Sequence, residues 1–376
     1  MSRNRMSAHA VSNLTQELIR IPSESSCSTG TDSSAPERAV AGRLLDFVTA
    51  HGMQGGLREV QPGRWNLEAR LQRPGAPRVL LAGHLDTVSA LGMSDPFAGA
   101  MSGGDILGRG ACDDKGPLAA ACVALASLVG ERRALAYDIT LLGTADEEAG
   151  MAGAKAWSAV GADQDLIVAL EPTALRPVVA HKGVYRCALH TNGRACHSSQ
   201  PERGANAITG MLGVLAAVQG LGAELAAMRD ACLGTPTMTI TGIGGGTAIN
   251  LVPESCRAQF DIRLIPDSDP AWVARRLREL AGPEVVVEQI FSAPALRRTV
   301  PGHGLDQRLA RALARHGVSG GETVAPWCSD ASFLQARGPC LVWGPGRIED
   351  AHTRDERISV SELERSVDVL RAFLTD

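Results

Sequence analysis

The chain has 376 residues, of which 44% are hydrophobic and 21% charged, with a formal net charge of -4. That length calls for one large domain plus a smaller one, and a near-neutral chain without blocks of like charge is not built for a polyanion or a membrane surface. Nine cysteines without a CxxC pair point to reduced thiols, not to a disulfide framework or a structural zinc ribbon.

The opening "MSRNRMSAHA" lacks the apolar core of a signal peptide, and the run "LAAACVALASLV" is too short to span a bilayer, so a cytoplasmic location is expected. From Ala8 to Arg20, Val11, Leu14 and Leu18 recur at helical spacing before Pro22 stops the helix. The serine-rich "SESSCSTGTDSSAPER" that follows has no apolar period and reads as a surface loop. Strand-length apolar runs then alternate with helical ones: "RVLLAG", "GPLAAACVALASLV", "YDITLLGT", "DLIVAL". This alternation predicts an α/β domain with a central, mostly parallel sheet, in which ligands gather at the carboxyl ends of the strands.

A different rhythm occupies the next hundred residues. Strand "VYRCALH", helix "GANAITGMLGVLAAVQGL", strands "TMTITGI" and "SCRAQFDIRLI", helix "PAWVARRLREL" and strand "EVVVEQI" spell the ferredoxin-like order βαββαβ. Residues 183–291 are therefore expected to form an inserted domain, leaving 1–182 and 292–376 as a discontinuous first domain. The α/β style resumes with "LDQRLARALARHG", "CLVW" and a closing helix from Ser361, introduced by the capping box "SVSE".

Chemistry-bearing residues collect where the apolar runs end. "LLAGHLDTV" supplies His84 and Asp86, two apart and so on one face of a strand, which would let Asp86 accept the second N–H of His84. "GRGACDDKG" supplies Asp113 and Asp114 ahead of a helix, where a helix cap explains one of them and leaves the glycines unexplained. "TADEEAG" brings Glu147 and Glu148, "IVALEPT" brings Glu171, and "GPGRIEDAHTRDE" brings His352. Each has a plain structural explanation alone. Together they crowd one sheet edge with carboxylates that repel unless cations neutralise them. Imidazole and carboxylate donors without thiolates suit zinc, cobalt or manganese, and a shared carboxylate allows a two-metal site. One of the adjacent glutamates could then bind metal while the other serves as general base. "GIGGGT" lacks the GK[ST] ending of a phosphate loop, and no GxSxG is present.

The set "HLD", "GRGACDDKG", "TADEEAG", "LEPT", "GRACHSSQPERGANAI" and "GPGRIEDAHTRDE" resembles the dinuclear zinc aminoacylase, deacetylase and carboxypeptidase family that includes acetylornithine deacetylase and succinyl-diaminopimelate desuccinylase. The resemblance implies two divalent ions, zinc or alternatively cobalt, with His84 and Glu171 on one, Glu148 and His352 on the other, and Asp113 bridging. It implies Glu147 as general base and Asp86 as the residue that orients His84. It also implies that the inserted domain makes a homodimer. His197 in "ACHSS" would then reach a partner subunit's site to steady the oxyanion, and Asn250 and Arg263 would contact the substrate. Without the resemblance, His197 reads as a surface histidine and Arg263 as a solvent-facing strand residue. Asp114 stands where many deacetylases of the family carry methionine and is left out of the metal set.

The implied substrate is an N-acyl amino acid or a dipeptide. "EPTALRPVVAHKGV", "HSSQPERGANAI" and "GPGRIEDAHTRDE" are similar to the acetylornithine branch, whereas "ACDDKG" is closer to the dipeptidase and carboxypeptidase branch and "WCSDASFL" departs from the acetylornithine pattern. A desuccinylase-like enzyme, a dipeptidase and a non-catalytic homologue stay open as alternatives.

Overall fold

A computed structural model describes residues 2–25, 36–90 and 92–375. The serine-rich stretch expected to be a surface loop falls mostly on 26–35, outside the described residues. In chain order the elements are α1 (Ser2–Ile19), α2 (Pro36–Ala50), β1 (Gln54–Gln61), β2 (Arg64–Leu71), β3 (Arg78–His84), β4 (Ala100–Ser102), β5 (Asp105–Leu107), α3 (Lys115–Gly130), β6 (Asp138–Thr144), α4 (Ala152–Val160), β7 (Leu166–Ala169) and β8 (Val178–His181). There follow β9 (Gly183–Asn192), α5 (Ala207–Ala226), β10 (Thr237–Gly245), β11 (Ser255–Leu264), α6 (Pro270–Ala281) and β12 (Val286–Ala293). The chain closes with α7 (Leu305–Arg315), β13 (Thr323–Ala325), α8 (Ala331–Leu334), β14 (Cys340–Val342), β15 (Arg357–Ser359) and α9 (Val360–Thr375).

Two compact units result: Met1–Val179 with Arg298–Thr323 and Ser329–Asp376, and Ala180–Arg297 with Val324–Cys328. The large sheet runs β1-β2-β6-β3-β7-β14-β8-β13. Its centre is parallel, β6 to β3, β3 to β7 and β7 to β14. Antiparallel strands flank it, since β2 pairs antiparallel with β6 and β14 with β8. The central strands are buried on both faces: six of the seven residues of β3 and all four of β7 are buried. Continuous apolar runs are what such strands require. α3 is buried from Lys115 through Ala126, and α1 and α9 pack on it.

In the second unit the four-stranded sheet runs β10-β11-β9-β12, all antiparallel, the spatial order of a ferredoxin-like βαββαβ unit. Cys256, Ala258, Phe260, Ile262 and Leu264 of β11 alternate inward and share one core with Met211, Val218 and Leu221 of α5 and Val273 and Leu277 of α6. Asn206 caps α5 by accepting the N–H groups of Ile208 and Thr209, and Asp269 caps α6 likewise through Ala271 and Trp272. α5 is long and apolar enough by length and composition to cross a membrane, yet Met211, Val218, Leu221 and Leu225 form a stripe buried within its own unit. At the start of α9 the Glu362 carboxylate, expected to close a capping box on residue 359, accepts the N–H of Gly346 at 2.9 Å.

Candidate active site

The register of the parallel strands sets the site. His84, the last residue of β3, lies beside Thr144, the last of β6, while Ala82 pairs with Ala169, the last of β7, and Ala169 with Val342, the last of β14. The segments carrying Glu147 and Glu148, Glu171, and the loop to His352 thus all leave the same edge. Asp113 reaches that edge from the turn preceding α3.

There the Asp113 carboxylate spans two imidazoles. Its Oδ1 lies 2.8 Å from His84 Nε2 and its Oδ2 3.0 Å from His352 Nε2, which is also 3.1 Å from Glu148 Oε1. One donor atom each of His84, Asp113 and Glu148 falls within 4.8 Å of the other two. The structure therefore brings His84, Asp113, Glu148 and His352 into direct contact. Glu171, nearly buried, raises the proton affinity of Glu147 through space and is itself affected by Asp113 and Glu148.

Asp86 orients the site by a route other than the expected one. His84 Nδ1–H donates to the main-chain oxygen of Asp86 at 2.9 Å, while the nearest Asp86 carboxylate oxygen is 3.7 Å away. A carbonyl can only accept, so Nδ1 carries the proton and Nε2 keeps its lone pair for a ligand in the neutral ring. The Asp86 carboxylate accepts the N–H of Glu147 at 3.0 Å and of Glu148 at 3.2 Å, fixing the turn that carries both. Asp114 supports the main chain of a donor: its Oδ2 accepts the N–H of His84 at 3.1 Å.

The electrostatics are those of a site with too many acids. Desolvation, followed by neighbouring carboxylates, pushes Glu147 and Glu171 well above the usual range; it also raises Glu148, with Asp113 next. Burial would raise Asp113 too, but hydrogen bonds from His352 and His84 take it below its ordinary value. The same bonds to Asp113 and Glu148 lift His352 to about 10. Burial depresses His84, and its bonds to Asp113 and Asp86 outweigh this and leave it well above normal. Asp114 Oδ1 and Asp330 Oδ1 are buried without a hydrogen-bond partner. Mixed imidazole and carboxylate donors, carboxylates in excess and a carboxylate with one imidazole on each oxygen fit a pair of divalent cations.

The site holds a further acid, Asp330, that the sequence does not announce. It follows "WCS" at the start of α8, and its Oδ2 receives Thr144 Oγ at 2.5 Å; burial raises it to about 7. No local pattern marks it, because Thr144 is 186 residues away.

The other three candidates belong to the second unit. His197 and Leu251 pair as an antiparallel bridge, and Ser198 N–H donates to Asn250 O at 3.0 Å, so His197 and Asn250 share one exposed loop cluster. Ser199 N–H donates to His197 Nδ1 at 3.1 Å, which places the imidazole proton on Nε2 as an outward donor. Arg263 stands apart on β11, bound through two nitrogens to Asp261 at 2.7 and 3.2 Å.

The sequence pattern of peptidase family M20/M25/M40 matches residues 80–376. An acetylornithine deacetylase of Proteus mirabilis is 32% identical over 373 residues, covering 93% of this chain and 92% of that protein. The fold is shared with an M20 family metallo-carboxypeptidase of Sulfolobus solfataricus, at a TM-score of 0.79 and 17% identity over 100% of this chain and 99% of that one. It is shared also with a dinuclear metal-binding peptidase of the M20 family from Bacillus subtilis, at a TM-score of 0.71 and 14% identity over 99% and 98%.

Proposed function

Because the chain belongs to the peptidase M20/M25/M40 family of metal-dependent hydrolases, we propose that it removes the acyl group from an N-acyl amino acid, N-acetylornithine being the first candidate substrate. The observation that carries the reading is the Asp113 carboxylate held between His84 and His352 with Glu148 in the same cluster. His84 and Glu171 would hold one divalent ion and Glu148 and His352 the other, with Asp113 shared. Bound there, zinc or cobalt supplies Lewis-acid polarisation of the amide carbonyl and makes water acidic enough to attack near neutral pH.

The chain's own residues supply the rest. Glu147, its main chain pinned by Asp86, accepts a proton from the attacking water and passes it to the departing amine. The outward Nε2–H of the partner subunit's His197 suits it to donate to the developing oxyanion, a role worth about 2.7–4 kcal/mol of barrier. Asn250 shares its loop cluster and is assigned to the substrate; Arg263 is assigned to the substrate carboxylate, for which it must exchange its bond to Asp261. The second unit would make a homodimer. In its support, α5 exposes an uncharged face of Thr209, Gly210, Leu212, Gly213, Ala216 and Ala217, and edge strand β10 exposes Ile240 and Ile243. None of the described cysteines forms a disulfide, which suits the reducing cytoplasm.

Chelated protein reloaded with zinc or cobalt and offered N-acetyl, N-succinyl and N-formyl amino acids and dipeptides should release amine fastest from an N-acetyl amino acid. Faster release from N-succinyl substrates or dipeptides would assign it to those branches, and no release from any member after reloading would leave only the non-catalytic reading.

A further inference from the structure

The Asp113 turn and the loop carrying His352 are far apart in sequence, yet their side chains must meet within 3.0 Å. A buried ion pair joins the two segments. Glu356 lies four residues beyond His352, is 1% exposed, and its Oε2 receives Arg109 Nη1 at 2.5 Å. Its Oε1 accepts the main-chain N–H of Cys112 at 3.1 Å and of Asp113 itself at 3.3 Å. The main chains are tied as well, since Gly108 N–H donates to Glu356 O at 3.0 Å. Arg109, 3% exposed, turns its remaining nitrogens to Ser89 O, at 3.2 Å from Nε and 2.9 Å from Nη2.

A buried ion pair is weak evidence of stabilisation in its own right, because desolvating the two charges offsets their attraction. What distinguishes this one is where its bonds end: on the N–H of the shared ligand and, through four residues of main chain, on the loop of a second ligand. His84 and Glu171 have other supports. His84 N–H is held by Asp114, and both residues sit directly on or after paired strands.

We infer that Glu356 and Arg109 are positioning residues for one of the two ions, the one assigned to Glu148 and His352, because they hold the Asp113 turn against the His352 loop. The inference rests on the dinuclear reading above. It predicts a one-sided defect. Removing the Glu356 charge should loosen the ion at His352 and leave the ion at His84 and Glu171 bound.

The test uses the full chain, stripped of metal and titrated with cobalt(II) alone, read by calorimetry and visible absorption. Wild type should take up two ions. Glu356→Gln keeps the shape but not the charge that holds Arg109, and should bind the ion at His84 and Glu171, which keep their own supports, within about threefold of wild type and the second about 10- to 100-fold more weakly. Arg109→Lys should act in the same direction and decides the matter if the glutamine variant does not fold. Two ions bound as in wild type, or both weakened equally with a lowered unfolding temperature, would overturn the inference. Uptake of fewer than two ions by wild type would instead overturn the dinuclear reading, whatever Glu356 does.

Discussion

Glu147 is fixed at its main chain by Asp86, while its carboxylate has no hydrogen-bond partner among the described residues. Desolvation and the nearby Glu171 raise its proton affinity, the direction that makes a carboxylate a better base near neutral pH, and bound cations would moderate the shift. Glu147→Gln keeps the N–H bond to Asp86 and the side-chain volume and removes only the proton acceptor. The expected result is unchanged cobalt uptake with kcat lowered by about 10²- to 10⁴-fold; activity within tenfold of wild type would end the assigned role. One residue before His84, Gly83 shows how closely the support is fitted. A Cβ there would lie 2.3 Å from Asp114 Oδ2 and 3.0 Å from Leu118, so Gly83→Ala should cost about 1–3 kcal/mol of stability in urea unfolding. An unchanged midpoint would mean that Asp114 moves aside freely and does not brace His84.

Among the elements, α5 offers the sharpest test of assembly. Gly213 lies on its exposed face, and a Cβ there meets nothing within 4 Å. Gly213→Arg should therefore leave the fold intact, with helix propensity improved by up to about 1 kcal/mol, while placing a charge in the proposed dimer contact. Light scattering should show half the wild-type mass, and activity should fall with it if a partner's His197 is needed; a dimer of wild-type mass would put the interface elsewhere. The elements read from sequence were those with a strong pattern. β3, β6 and β7 stand out as buried apolar runs, and β11 by its alternation. The hairpin of β1 and β2 had no such signal, because β1 is exposed along nearly its whole length, and β4, β5 and β15 have three residues each. The candidate donors were legible because each follows a readable strand or loop motif. The direction of Asp86 was not: the two-residue rule holds within a strand, and β3 ends at His84. Asp330 and Glu356 lie within stretches singled out in the sequence, but their roles were not legible there, since the partners that give them meaning lie 186 and 247 residues away.

At the scale of the whole molecule, the surplus of buried acids makes stability depend on metal and pH together. Burial raises Asp114, Glu147, Glu148 and Glu171, and hydrogen bonds to carboxylates raise His84 and His352, so the metal-free folded chain holds more protons than the unfolded one across pH 5 to 7. Under that condition the unfolding free energy falls as pH rises. His181, lowered to about 4, and Lys115, lowered to about 7, act in the opposite direction through burial, but Glu37 and Asp330, raised to about 7, add to the majority. Asp113, lowered from its usual value, titrates below this window. Metal reverses the trend, because its donors must be deprotonated and its binding stabilises the folded state, by about 2.7 kcal/mol at a hundred times the dissociation constant. The stripped protein should therefore lose thermal stability from pH 5 to pH 7, and the rise in unfolding temperature on adding zinc should grow over the same interval. Thermal scans of stripped and zinc-loaded protein in matched buffers would measure both. A zinc-induced shift independent of pH would mean that the crowded carboxylates are neutralised by something other than the ions, and the charge argument for the site would fail at its root.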